Sequence, residues 1–222
     1  MFDNIAPRYD FLNHLLSVNI DKRWRKKAVN LLKSKKPASI LDVATGTGDF
    51  AIELQKLHPK EIIGVDISDK MLQIGRQKLR QKNLYERIVL QRADSEKLPF
   101  PDNRFDAVTV AFGVRNFENL QKGIEEMCRV LKPNGTVVVL EFSKPVIFPV
   151  KQMFYFYFHY VLPVIGRIFS KDQRAYSYLP ESVQSFPDEK EFSRLLEETG
   201  FKNVQCKSLT FGIASIYTGE KS

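Results

Sequence analysis

Between Ser39 and Phe142 the chain alternates short β-branched runs with longer segments whose apolar residues recur every three or four positions. "SILDV" (39–43), "EIIGVD" (61–66), "RIVLQRAD" (87–94), "FDAVTVAF" (105–112) and "GTVVVLEF" (135–142) are short and rich in Val and Ile, which predicts strands. The intervening "DFAIELQKL" (49–57), "SDKMLQIGRQKLRQKN" (68–83) and "LQKGIEEMCRVLK" (120–132) carry helical periodicity. A helix is also expected from about Asp10 to Lys33, closed by Pro37. After Phe142 the pattern breaks into a proline-containing, aromatic segment, residues 143–185. It resumes with the helix "DEKEFSRLLEETGF" (188–201), stopped by Gly200, and the strands "VQCKSLTF" (204–211) and "IASIYTGE" (213–220). Strands alternating with helices predict one α/β domain. Its mostly parallel, seven-stranded sheet carries helices on both faces and ends in an antiparallel hairpin.

The strongest chemical signal is "LDVATGTGDF" (41–50), a strand running through Asp42 into a turn at Gly46 and Gly48. Glycine serves where the backbone must take positive φ or approach a ligand closely. The dinucleotide pattern G-x-G-x-x-G is not met, since Ala44 and Phe50 stand at the flanking positions, which argues against NAD or FAD. Asp66 closes the second strand eighteen positions after Gly48, where a carboxylate can accept hydrogen bonds from ribose hydroxyls. Asp94 and Ser95 follow the third strand, where they can meet an adenine edge. Each aspartate alone also suits a helix cap or a turn. Together they fall at successive strand ends, where open parallel sheets bind ligands.

The stretches "LDVATGTGD", "GVDIS", "ADSEKLPFPDNRFDAVTVAFGVRNF" and "RVLKPNGTVVVLEFSKP" resemble class I methyltransferases, and most closely the menaquinone/ubiquinone-pathway C-methyltransferases (UbiE/MenG). The opening "FDNIAPRYDFLNHLLSVNIDKRWRK" and the late "YLPESVQSFPD" extend the resemblance through nearly the whole chain. It implies a Rossmann-like fold, S-adenosylmethionine as cofactor with S-adenosylhomocysteine as product, no metal, and C-methylation of a prenylated hydroquinone. The preferred acceptor is demethylmenaquinol, with a ubiquinone-pathway benzoquinol as the alternative. By resemblance Thr47, Asp66, Asp94 and Ser95 match cofactor-contacting positions, and Asp42, Thr45, Gly46, Gly48 and Ile67 beside them are further cofactor candidates. Ala111 departs from the family, many of whose members carry a cofactor-touching serine there. Relatives usually have a short polar lead before "MFDNIAPRYD", so a native N-terminus longer than Met1 is expected.

Carbon is a poor nucleophile unless an adjacent oxygen donates electron density, as a phenolate does to its ortho carbon. The protein must therefore position the ring and manage the phenolic proton. Arg115 and Asn116, in "FGVRNF" after the fourth strand, are candidates for steadying the phenolate and orienting the ring oxygens. Asp94 is a candidate base, and Tyr9 a candidate for lining the acceptor pocket. The plainer alternative is an Arg–Asp ion pair joining two loops.

Domain organisation is read as a 1–37 helical acceptor or lid segment, a 38–142 cofactor core, a 143–185 substrate-channel insert and a 186–222 helix and hairpin. "MFYFYFHYVLPVIGRIF" (153–169) holds six aromatics between Phe154 and Tyr160, but His159, Pro163 and Arg167 interrupt it before the ~20 apolar residues of a membrane span. It suits core packing, a wall of a polyprenyl channel, or a surface dipping into a bilayer.

The 222 residues, 43% hydrophobic and 27% charged, fit one globular core. A net charge of +8 gathers partly in Lys22, Arg23, Arg25, Lys26, Lys27, Lys33, Lys35 and Lys36, which form either a solvated face or a contact for anionic lipid headgroups. Two distant cysteines, Cys128 and Cys206, match no metal spacing, and no signal peptide is visible. A cytoplasmic protein, peripheral on the inner membrane face, is therefore expected, with a homodimer among the oligomeric states left open. Nucleic acid is not an expected partner, because neither an RNA-binding module nor an "NPPY" motif is present. A sterol or small-phenol acceptor stays open on fold alone, whereas intact "LDVATGTGD" and "FGVRN" argue against a non-catalytic assembly protein.

Overall fold

The computed structural model describes residues 19–161 and 174–222. Its sheet is built from β1 (Ser39–Val43), β2 (Glu61–Asp66), β3 (Ile88–Arg92), β4 (Phe105–Ala111), β5 (Leu131–Phe142), β6 (Phe201–Leu209) and β7 (Ala214–Lys221). The helices are α1 (Ile20–Leu32), α2 (Asp49–Leu54), α3 (Asp69–Gln81), α4 (Leu120–Val130), α5 (Val150–Phe156), α6 (Arg174–Ser185) and α7 (Glu189–Glu198). The seven strands lie in the order β3-β2-β1-β4-β5-β7-β6. Strands β1 to β5 pair parallel, and β7 runs antiparallel to both β5 and β6. The expected mixed sheet and terminal hairpin are thus present.

Strand periodicity assigns residues to two layers. Leu41, Val43, Val108 and Val110 face Ile124 and Met127 of α4 and Phe192 and Leu196 of α7. Ile40 and Ala107 face the other way, toward Trp24 and Ala28 of α1, Phe50 and Leu54 of α2, and Leu72 and Leu79 of α3. Asp42 and Thr109, two residues beyond Ile40 and Ala107, therefore share the α1–α2 face. The strand order reverses between β1 and β4, so a crevice opens beyond their C-terminal ends.

Two expectations shift. The α4 helix ends at Val130, and Leu131 and Lys132 begin β5 instead of finishing the helix. Pro133 supplies the reason, since it disfavours helical backbone at the residue before it and offers no N–H. The N-terminal helix begins at Ile20, since Asn19 before it takes left-handed backbone (φ 59°); residues 1–18, Tyr9 among them, and 162–173 of the insert lie outside the described residues. The described insert is helical, with α5 passing into a π-helical turn at Tyr157–Val161.

The α1 helix is amphipathic. Trp24, Ala28, Val29 and Leu32 are buried, while Lys22, Arg23, Lys26 and Lys27 are exposed. Trp24 donates from Nε1 to Thr210 Oγ1 at 2.8 Å, anchoring the helix to the loop before β7. The basic cluster is therefore not one uniform solvated face: Arg25 points inward and is buried, and Lys35 pairs with Glu220 at 2.6 Å.

Candidate active site

The Gly46 turn sits in the crevice. Gly46 has φ 57°, and a Cβ added there would meet nothing within 4 Å, so its open side faces space rather than packed protein. Gly113, after β4, is required for a different reason: its Cβ would lie 2.5 Å from that of Ala44. The loops after β1 and β4 can approach this closely only because one of them lacks a side chain. Ala44 and Phe112 themselves take left-handed φ of 50° and 59°, so both loops bend sharply where they meet.

A cavity of about 210 Å³ opens on one side of this junction. Asp66, Asp94, Ser95 and Asn116 supply polar atoms, and Val65, Ile67, Met71, Ala93, Phe112 and Phe117 supply apolar walls. Asp66 is held in place by the backbone, accepting from the Gly46 N–H at 2.8 Å and the Ser68 N–H at 2.9 Å. A carboxylate held at a strand end in this way suits hydrogen bonds from vicinal hydroxyls. Asp94 is exposed and forms a local turn, its Oδ1 accepting from the Glu96 N–H at 2.9 Å. A partly apolar slot rimmed by the acids Asp66, Asp94, Glu96 and Glu118 fits an adenosine group.

A smaller hollow of about 40 Å³ lies across the same turn, lined by Arg25, Asp42, Thr45, Thr47, Asp49 and Phe50; Ala44, Gly46 and Phe112 line both spaces. Asp42 is fully buried and accepts from Thr45 Oγ1 at 2.6 Å and Thr109 Oγ1 at 2.8 Å. Burial pushes its pKa up to about 6, against the lowering effect of the two hydroxyls and of Arg25. Lys78 donates to Asp49 at 2.6 Å and Thr47 Oγ1 at 2.8 Å, bracing the glycine turn from α3. Gly48, with φ 81°, starts α2 from behind the turn.

The residues expected to act on the acceptor separate. Asn116 lines the larger cavity, and its Oδ1 accepts from the Tyr178 hydroxyl of α6 at 3.0 Å. Arg115 does not line that cavity. Its side chain is 7% exposed, and its guanidinium pairs with the fully buried Glu141 at 2.6 Å and donates to the Phe112 carbonyl at 2.6 Å. Its Nε reaches Ser182 Oγ at 3.3 Å, and its charge lies over the Phe142 ring. The anticipated direct contact of Arg115 with a phenolate gives way to a tie between the β4 loop, β5 and α6. Its acidic partner is Glu141, not Asp94, because β4 and β5 are adjacent strands and Glu141 ends β5 beside the "FGVRN" loop. Sequence reading passed over Glu141, although an acid within the apolar run "VVVLEF" was a usable signal. It also passed over Phe112 and Tyr178, which no local pattern singles out.

The demethylmenaquinone methyltransferase of Bacteroides fragilis is 52% identical over 222 residues, covering all of this chain and 91% of that one. The ubiquinone/menaquinone biosynthesis C-methyltransferase UbiE of Geotalea daltonii is 50% identical, covering 100% and 94%. Among solved structures, a SAM dependent methyltransferase from Aquifex aeolicus shares the fold at TM-score 0.61 and 19% identity, covering 83% of this chain and 82% of that one. The [4+2]-cyclase SpnF does so at TM-score 0.66 and 17% identity, covering 88% and 80%. Since this architecture also serves a cyclase, fold alone does not define the reaction. The model of the ubiE/COQ5 methyltransferase family matches residues 1–221, and the chain belongs to that family.

Proposed function

We propose that the chain methylates a ring carbon of a prenylated hydroquinone, demethylmenaquinol in the first instance, using S-adenosylmethionine. The observation that carries this reading is full-length similarity, at 52% identity, to a protein named demethylmenaquinone methyltransferase. Asp66, Ile67, Asp94 and Ser95 would hold the adenosine part of the cofactor, which supplies a methyl group on a sulfonium leaving group. Asn116 lies at the rim of the same cavity, where an amide steadied by Tyr178 can orient a ring oxygen. Where the cofactor leaves its carboxylate free, Asp94, exposed at that cavity, is the proton acceptor, directly or through water. Loss of the phenolic proton enriches the ortho carbon, that carbon takes the methyl group, and the proton it carried leaves to restore the aromatic ring. Arg115 acts as a positioning residue, holding the loop that presents Asn116. No step needs a metal.

The insert supports a contact with a lipid surface. Val146, Phe148, Met153, Phe156 and Tyr160 all expose more than half of their surface, and Lys144 and Lys151 lie in the same stretch. Among the described residues no helix is long and apolar enough to cross a membrane. The reading is therefore of a peripheral rim that meets the bilayer where a prenyl tail leaves it. Flotation with anionic vesicles should fall when Phe148 and Phe156 become Ser, and unchanged flotation would count against this rim.

The relative named for both quinones supports a ubiquinone-pathway acceptor as a second reading. Purified protein should methylate a demethylmenaquinol analogue faster than a demethoxyubiquinol-type acceptor. The reverse ratio selects the second reading, and methylation of RNA alone would refute both.

A further inference from the structure

Arg25 departs from the pattern of its own helix. Its neighbours Arg23, Lys26 and Lys27 are exposed, whereas Arg25 lies on the inward face of α1 with Trp24 and lines the smaller hollow beside the Gly46 turn. Two carboxylates approach it, Asp21 at 2.5 Å and Asp49 at 3.9 Å, and both meet the same nitrogen, Nη1. Among the described residues, Nη2 and Nε make no hydrogen bond, and neither is a buried atom left without a partner. The other edge of the guanidinium fork is therefore accessible. Phe112, whose ring lies 5.7 Å from the Arg25 Cζ, limits the directions from which a ligand can reach it.

The two spaces meet at Ala44, Gly46 and Phe112. A ligand whose nucleoside lies against Asp66 and Asp94 can continue over this junction into the hollow that Arg25 lines. In S-adenosylmethionine the group beyond the sulfur is an α-amino acid, which ends in a carboxylate and an ammonium. The hollow is lined by both kinds of charge, the Arg25 guanidinium and the carboxyl groups of Asp42 and Asp49. A guanidinium fork is matched to a carboxylate, and Lys78 is already engaged by Asp49 and Thr47.

We propose that Arg25 binds the carboxylate at the amino-acid end of S-adenosylmethionine, so that the N-terminal helix forms part of the cofactor site. This rests on the cofactor reading above. It gives a ligand to the guanidinium edge that Asp21 does not occupy.

Calorimetric binding of two ligands tests the assignment. S-adenosylhomocysteine carries the amino-acid end, whereas 5′-methylthioadenosine keeps the adenosine and sulfur but lacks it. In Arg25→Ala, affinity for S-adenosylhomocysteine should fall roughly 10- to 100-fold, as for loss of a charge-assisted bond, and affinity for 5′-methylthioadenosine should change less than about twofold. Arg25→Lys, which keeps the charge without the fork, should lose less, and again only for S-adenosylhomocysteine. This variant carries the test if removing the charge from beside Asp21 unfolds the protein. Equal losses for both ligands, or none for S-adenosylhomocysteine, would overturn the proposal while leaving the cofactor reading intact. Failure of the unaltered protein to bind either ligand would overturn both.

Discussion

The two halves of the proposed site are built differently. On the cofactor side, the strand-end acids are held by backbone N–H groups of neighbouring turns: Asp66 by those of Ser68 and Gly46, and Asp94 by that of Glu96. On the acceptor side, each polar group depends on a distant element. Arg115 reaches Glu141 and Ser182, and Asn116 meets Tyr178. The first half is specified by turns at strand ends and is preorganised as soon as the sheet forms. The second exists only once α6 docks, which leaves it open to variation with the acceptor.

The sharpest challenge to that contrast is the Arg115–Glu141 pair. Replacing Glu141 by Ala leaves a buried guanidinium without its carboxylate, and stability should drop by about 3–5 kcal/mol. Thermal melting checks this. Turnover of the folded fraction should fall while S-adenosylhomocysteine affinity stays near normal, and a selective loss of affinity would place the pair in the cofactor half instead.

A smaller effect, on the cofactor side, is pH-dependent. Asp42 has its pKa raised to about 6 by burial, from an ordinary 3.8. Between these values the folded state holds a proton that the unfolded state has released, so this group removes stability as pH rises, by up to about 1.4 kcal/mol per pH unit. Asp42→Asn lacks this titration. Its stability relative to the unaltered protein, measured by urea unfolding, should therefore climb from pH 4 to pH 6 and level off above. A flat difference across that range would mean that Asp42 is not held neutral.

Asp66→Asn tests whether the strand-end carboxylate belongs to the cofactor alone. Affinity for S-adenosylhomocysteine should weaken by about 1.5–3 kcal/mol, and the acceptor KM should hold. Smallest of all, Tyr178→Phe removes one neutral hydrogen bond and should cost about 0.5–1.5 kcal/mol in kcat/KM for the quinol, with cofactor affinity unaffected. A loss of cofactor affinity in this last variant would join the two halves into one unit.

Much of the fold was legible because strand and helix periodicities differ and the breaks between them were clear. The five parallel strands, the terminal hairpin and the helix "DEKEFSRLLEETGF" all follow from spacing and stop signals. The end of α4 was misplaced because Leu131 and Lys132 satisfy helical periodicity, while Pro133 acts on backbone that periodicity does not describe. The cofactor half was legible for the same local reasons, since a glycine turn and acids at strand ends are contiguous signals. Arg25 was not, because a basic residue among basic residues looks solvated until the helix is docked.

The sequence by itself determined which residues face each layer, where the chain turns back, and which aspartates stand at the crevice, since these depend on neighbours a few positions away. Only the tertiary structure decided that Arg115 is spent on Glu141, that Asn116 rests on Tyr178, and that Arg25 turns into the site. Each of these is a pairing of distant positions. Burial makes an unpaired charge costly, so the partner that packing brings within reach, rather than any local pattern, fixes what the charge does.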